Sequence, residues 1–125
     1  MAATLSLDTA SINDAERRTL DRLVNLLQSR LGGDLVAIWL YGSRARGDEP
    51  HEESDIDLMV VTKGGWDDAR LVIDLVFDAA EAEGTNPASF STQTVPPEWI
   101  AQRREIQSFY LREVDRDKIV LSGTP

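Results

Sequence analysis

Cysteine is absent from these 125 residues, so neither a disulfide nor a thiolate metal site is available. Histidine occurs once, at His51, which excludes a histidine-built metal cluster and indicates no Ser-His catalytic pair. No apolar run approaches the roughly 18 residues of a membrane-spanning helix. Residues 1–10 lack the basic start and continuous apolar core of a signal peptide. A cytoplasmic location is the default expectation, with no role for a membrane. Basic residues are also in deficit: 13 Lys and Arg stand against 22 Asp and Glu, a net charge of −9. Such a field repels a polyanion, so general binding to nucleic acid is not expected. A cationic partner or a metal ion fits it better, although acidity also serves solubility alone.

What is present is ordinary globular material, 42% hydrophobic. A chain of this length buries roughly two thirds of its unfolded surface and needs no staples. It reads as a single domain over residues 1–125, with residues 1–10 as a loose, polar-rich arm. Ser11 is the expected cap of a first helix, with Asp14 three residues on as a short stand-in for a capping-box Glu. Ile12, Ala15, Leu20, Leu23, Val24, Leu27 and Leu31 form its apolar stripe, and Gly32-Gly33 ends it. Leu35 to Tyr41 is a seven-residue apolar run of strand formers, read as a buried central strand. Gly42 to Ser54 is a polar connection and Asp55 to Thr62 a second strand.

Trp66 to Glu83 is predicted as a second helix with Ala69, Val72, Ile73, Val76, Phe77 and Ala80 toward the core. A third strand is expected over Ala88 to Val95. Beyond Pro96-Pro97, one helix from Glu98 to about Val114 should turn Trp99, Ile106, Phe109 and Tyr110 inward. Lys118 to Leu121 is expected as a short last strand. The fold class is therefore α/β or α+β, with a small sheet packed against helices.

Chemistry is concentrated in two neighbouring segments. Strand alternation puts Ile56, Leu58 and Val60 on one face and Asp55 with Asp57 on the other, about 7 Å apart at Cα. Two like charges at close range repel, and a divalent cation removes the conflict; hard carboxylate oxygens suit magnesium or manganese. A solvated sheet face carrying two exposed aspartates is the competing reading. Directly after the first strand comes Tyr41-Gly42-Ser43-Arg44-Ala45-Arg46-Gly47. Gly42 permits close backbone approach of a ligand, or alternatively serves only a tight turn. Ser43 supplies a hydroxyl and opens a helical turn whose amides suit phosphate oxygens. Arg44 and Arg46 either add charge against a triphosphate or form structural salt bridges. A phosphate cradle beside a dicarboxylate is the parts list of metal-assisted phosphoryl transfer. The acidic stretch Asp48, Glu49, Glu52 and Glu53 with His51 matches no calcium loop and reads as a solvated surface loop. Trp66 and Trp99 at helix starts read as core or rim packing.

The string from Tyr41 to Asp48, followed by Ser54-Asp55-Ile56-Asp57-Leu58, resembles the signature of the DNA polymerase beta-like nucleotidyltransferase superfamily. It is most similar to the minimal, stand-alone members, many of which are MntA-type antitoxins encoded beside a HEPN-domain toxin. The resemblance implies a nucleotidyltransferase fold of α+β class with a small mixed sheet. It also implies that Ser43 contacts the nucleotide phosphates, beside Gly42, Arg44 and Arg46 of the cradle read above, while Asp55 and Asp57 bind magnesium and carry catalysis. AMP would pass from ATP to a protein acceptor hydroxyl, with a HEPN-type toxin as partner in a homo- or hetero-oligomer. Two departures stand out. Eleven residues separate Ser43 from Asp55, one more than is usual in the antitoxin-type signature. The third carboxylate usual on a later strand is missing from Ala88 to Val95. A catalytically degenerate antitoxin that acts by binding is therefore an alternative. An aminoglycoside-type small-molecule transferase is another, though such members usually carry a further substrate domain.

Overall fold

The computed structural model of the protein describes residues 7–50 and 55–125. Helix α1 (Asp14–Leu31) is followed by strand β1 (Leu35–Tyr41) and the short helix α2 (Gly42–Arg46). Strand β2 (Ile56–Thr62), helix α3 (Ala69–Glu83) and strand β3 (Phe90–Val95) come next. Helices α4 (Pro97–Glu105) and α5 (Phe109–Asp117) and strand β4 (Ile119–Gly123) complete the chain. The four strands form one mixed sheet in the order β3-β2-β1-β4. β1 is antiparallel to both β2 and β4, whereas β2 and β3 run parallel. That parallel pair requires a crossover, and α3 supplies it.

Both faces of the sheet are covered, which explains the unbroken apolar run of β1. On one face Ile38, Leu40, Ile56, Leu58 and Val60 pack with Leu20, Leu23 and Leu27 of α1 and Val72, Leu75 and Val76 of α3. On the other, Ala37, Trp39, Met59, Val61 and Val95 pack with Ile100 of α4 and Leu111 and Val114 of α5. Trp39 is fully enclosed there, and its indole N–H donates to the Thr124 carbonyl at 2.8 Å. The mixed α+β class follows from this topology. No helix among the described residues is long and apolar enough to cross a membrane.

Several expectations are corrected. The cap of α1 is Asn13, not Ser11: Asn13 Oδ1 accepts from the Glu16 amide at 2.8 Å, and Glu16 Oε1 accepts from the Asn13 amide at 3.0 Å. Glu reaches back across a turn where the shorter Asp14 cannot. Of the expected arm, residues 1–6 lie outside the described residues, but Leu7 and Ala10 pack against the core and the Ser11 amide donates to Arg44 O. In the second helical segment a tight turn over Gly65–Asp68 precedes α3. Trp66, Ile73 and Phe77 are exposed, while Leu75 and Ala79 take the core side. Arg70, Asp74, Asp78 and Glu81 gather on one face of α3, and Ile73 and Phe77 stay exposed at the border of the broad apolar arc opposite it.

The C-terminal helix is two helices. Gln107, at φ 55, breaks it between Ile106 and Ser108. After the break the phase changes: Ile100, Leu111 and Val114 are buried, and Ile106, Phe109 and Tyr110 are exposed. Trp99 is half-buried against the α4–α5 side of the core, as rim packing. The cap assignment has a direct check in urea unfolding. Asn13→Ala should cost about 1 kcal/mol of stability, whereas Ser11→Ala should stay within about 0.5 kcal/mol.

Candidate active site

Asp57 lies one residue inside β2, opposite Tyr41 on β1 and beside Ser91 on β3. Register partners in a sheet share a face, so Tyr41, Asp57 and Ser91 form a row across three strands on the α4–α5 side. Ile56, between the two aspartates in sequence, is fully buried in the opposite core. Asp55 is exposed just before β2 begins. Burial, and then the charge of Asp55, push the Asp57 carboxyl above its ordinary range, with Arg46 opposing them. The expected pairing of the two carboxylates is thus felt electrostatically. Among the described residues no group of three Asp, Glu or His side chains gathers around a common point.

Gly42 follows Tyr41 directly at φ 81, and a Cβ there would lie 2.4 Å from Asp57 Oδ2. The glycine therefore does two things: it adopts a left-handed backbone, and it leaves room for the carboxylate. Ser43 is the second residue of α2, which ends after Arg46 on a left-handed Gly47. The two arginines part company. Arg44 is buried and ion-paired with Glu16 of α1, so its guanidinium is engaged beneath the turn. Arg46 is on the site side, where it donates to Asp48 Oδ2 at 3.0 Å and to Asp117 Oδ2 at 2.9 Å. The His51 to Ser54 part of the connecting loop lies outside the described residues.

Three further side chains stand at the site: Tyr41 and Tyr110, read from the sequence as strand end and core, and Asp117, which went unremarked. Tyr41 and Tyr110 share a hydrogen bond of 2.8 Å between their hydroxyls, with rings edge to face at 6.2 Å. Burial, then that bond, then the Asp57 charge push the Tyr41 hydroxyl far above its ordinary value, so it stays protonated. Asp117, buried on α5, is held low by hydrogen bonds from Arg116 and Arg46 despite its burial. Tyr41, Gly42, Arg46, Tyr110 and Asp117 line one cleft of about 110 Å³. A larger cleft of about 640 Å³ lies between α1 and β4 and contains no motif residue. Size alone does not locate the chemistry here. The signal for Asp117 was its place in a run of alternating charge, which does not mark burial.

A family model described as "Polymerase beta, Nucleotidyltransferase" matches residues 21–95, which include the Gly42-Ser43 turn and both aspartates. The chain belongs to that nucleotidyltransferase family. A curated relative, "Putative protein adenylyltransferase MJ0604" of Methanocaldococcus jannaschii, is 45% identical over 60 residues. That match covers 48% of this chain and spans 56% of the relative's length. Among solved structures, a toxin-antitoxin with AMP-PNP is similar at TM-score 0.54 and 24% identity, over 84% of this chain and 73% of that one. A mutant of the MntA-HpeT toxin-antitoxin is similar at TM-score 0.52 and 20% identity, over the same shares. These structural likenesses establish a common fold.

Two outcomes check the site's geometry. Gly42→Ala should lower stability by about 1–3 kcal/mol through the left-handed backbone and displacement of Asp57, read by thermal unfolding. Asp57 is raised on folding, so the stability it contributes is complete below the unfolded carboxylate range and is lost as pH rises through its folded value. In metal-free buffer, Asp57→Asn should therefore melt higher than wild type at neutral pH. The difference should shrink as the solution is acidified, as followed by circular dichroism.

Proposed function

We propose that this chain transfers AMP from ATP to a hydroxyl of a protein acceptor, with Asp55 and Asp57 holding magnesium, or manganese in its place. The observation that carries the reading is Asp57 lodged against the Cβ-less Gly42, with Asp55 close enough to raise it. Two acidic side chains whose charges oppose each other at the start of β2 fit a hard divalent cation, whose charge removes their repulsion. When bound, such an ion neutralises the phosphate charge that develops during transfer. The protein relative supports the acceptor class, since its name is that of a protein adenylyltransferase.

Roles for individual residues follow from placement. Gly42 and Ser43 present backbone amides and a hydroxyl to the phosphates. Arg46 exchanges Asp48 or Asp117 for a phosphate oxygen, because its partners are reached by a flexible, half-exposed side chain. Arg44 acts from below, anchoring the turn to α1 through Glu16. The likeness in sequence to MntA-type antitoxins supports a HEPN-type toxin as the acceptor, in a cytoplasmic complex.

A second reading has its own observation. Ser91 stands in register with Asp57, where an acidic residue would complete a triad, and its hydroxyl is a poor base. The loss of general-base help is typically a factor of 10² to 10⁴. In that case the chain neutralises its partner by contact, with nucleotide retained in the site.

Thermal unfolding tests the site. Magnesium with ATP at a hundredfold excess over Kd should stabilise the wild type by about 2.7 kcal/mol, and the Asp55→Asn, Asp57→Asn double variant should show no shift. An equal shift in that variant would reject these residues as the site. Catalysis is tested with labelled ATP and the HEPN-type protein: Ser91→Asp should accelerate transfer, by up to about 10². Binding and neutralisation without any transfer in either variant would select the contact mechanism.

A further inference from the structure

The chain contains two tyrosines, and the fold brings both to the same place. Tyr41 ends β1 opposite Asp57 and directly before Gly42, so its ring points to the carboxylate face. Its hydroxyl is 2.8 Å from that of Tyr110, in the first turn of α5. Tyr110 also lines the cleft that contains Gly42 and Arg46, and it is 42% exposed there. A phenolic hydroxyl thus stands in the cleft beside Gly42 and Arg46, one hydrogen bond from Tyr41, the strand partner of Asp57. Rotation about its Cα–Cβ bond would carry that hydroxyl from Tyr41 further into the cleft, since turning about Cβ–Cγ leaves Oη on its axis. Tyr41 has no such freedom, since its ring is part of the core packed under α4 and α5.

We propose that Tyr110 is an intramolecular acceptor, so that the chain adenylylates itself; this rests on the AMP-transfer reading above. Tyr110 Oη attacks the α-phosphorus of ATP and forms a phosphodiester bond. The bond from that phosphorus to the oxygen bridging the β-phosphate breaks, pyrophosphate leaves with the electron pair, and the phenolic proton passes to water. An acceptor fixed beside the site needs no encounter, which gives it a large advantage over a hydroxyl arriving from solution. The product places a nucleotide on α5 and removes the Tyr41–Tyr110 hydrogen bond.

The test incubates the full chain with magnesium and α-labelled ATP, followed by peptide mapping and, in parallel, by the ATP-dependent thermal shift. One labelled peptide containing Tyr110 is expected, at a rate per chain independent of chain concentration. Tyr110→Phe, which keeps the ring, should lose the label, as should the Asp55→Asn, Asp57→Asn double variant. A carboxylate-dependent ATP shift with no AMP on Tyr110, or with AMP on another residue, would overturn this proposal and leave nucleotide binding at the site standing. Absence of both label and shift would overturn the proposal together with the reading beneath it.

Discussion

Between β1 and β2 the pairing sets Ile38 against Val60, Leu40 against Leu58 and Tyr41 against Asp57. The first four of these side chains are fully buried on the α1–α3 face, and each contributes about 1.5–3 kcal/mol by leaving water. A slip of one residue would exchange the faces of an entire strand, driving Asp57 into that core as an unpaired charge. The register is therefore fixed by the same burial that holds the sheet together. The site inherits it without any contact of its own. Gly42 must follow Tyr41 across from Asp57, and Ser91 must stand on Asp57's other flank.

Electrostatics then explains why the carboxylate pair remains poised. The protein is strongly acidic, and the arginines near the pair already have partners: Arg44 with Glu16, and Arg46 with Asp48 and Asp117. Asp57 is left with a like charge beside it and partial burial around it. A divalent cation, as proposed, would set two charges against this repulsion beside the one that Arg46 supplies. The two arginine partnerships also differ in kind. A buried guanidinium deprived of Glu16 would be costly, so that pair is permanent architecture. The exposed Arg46–Asp48 pair is weak enough to be traded for a phosphate, whereas the Arg46–Asp117 pair holds a buried carboxylate that keeps Arg116 as its other partner.

How much of this could be read from the sequence depended on how many neighbours decide each feature. The strands β1 and β2 were legible because each holds an unbroken apolar run too short for a helix, Leu35 to Tyr41 and Leu58 to Val61. The Gly42-Ser43 and Asp55-Asp57 elements were legible because each sits at a strand end, where local sequence dictates geometry. The inward face of α3 was misread at Ile73 and Phe77, since an apolar arc wider than the buried contact leaves the residues at its border exposed. The elbow at Gln107 was invisible: a non-glycine residue at φ 55 carries no composition signal. That one break reversed the fates of Phe109 and Tyr110, and so hid the tyrosine pair. Arg44 and Arg46 could not be told apart, because burial under α1 is a tertiary fact.

In the function proposed above, a divalent cation and the phosphates of ATP meet between Gly42, Asp55 and Asp57. This is tested most directly by the anomalous scattering of a crystal grown with manganese and a non-hydrolysable ATP analogue. A manganese peak at the Asp55 and Asp57 carboxylates is expected, with phosphate density over the Gly42-Ser43 turn. Nucleotide bound elsewhere, for example in the large cleft between α1 and β4, with no manganese at the two aspartates, would contradict it.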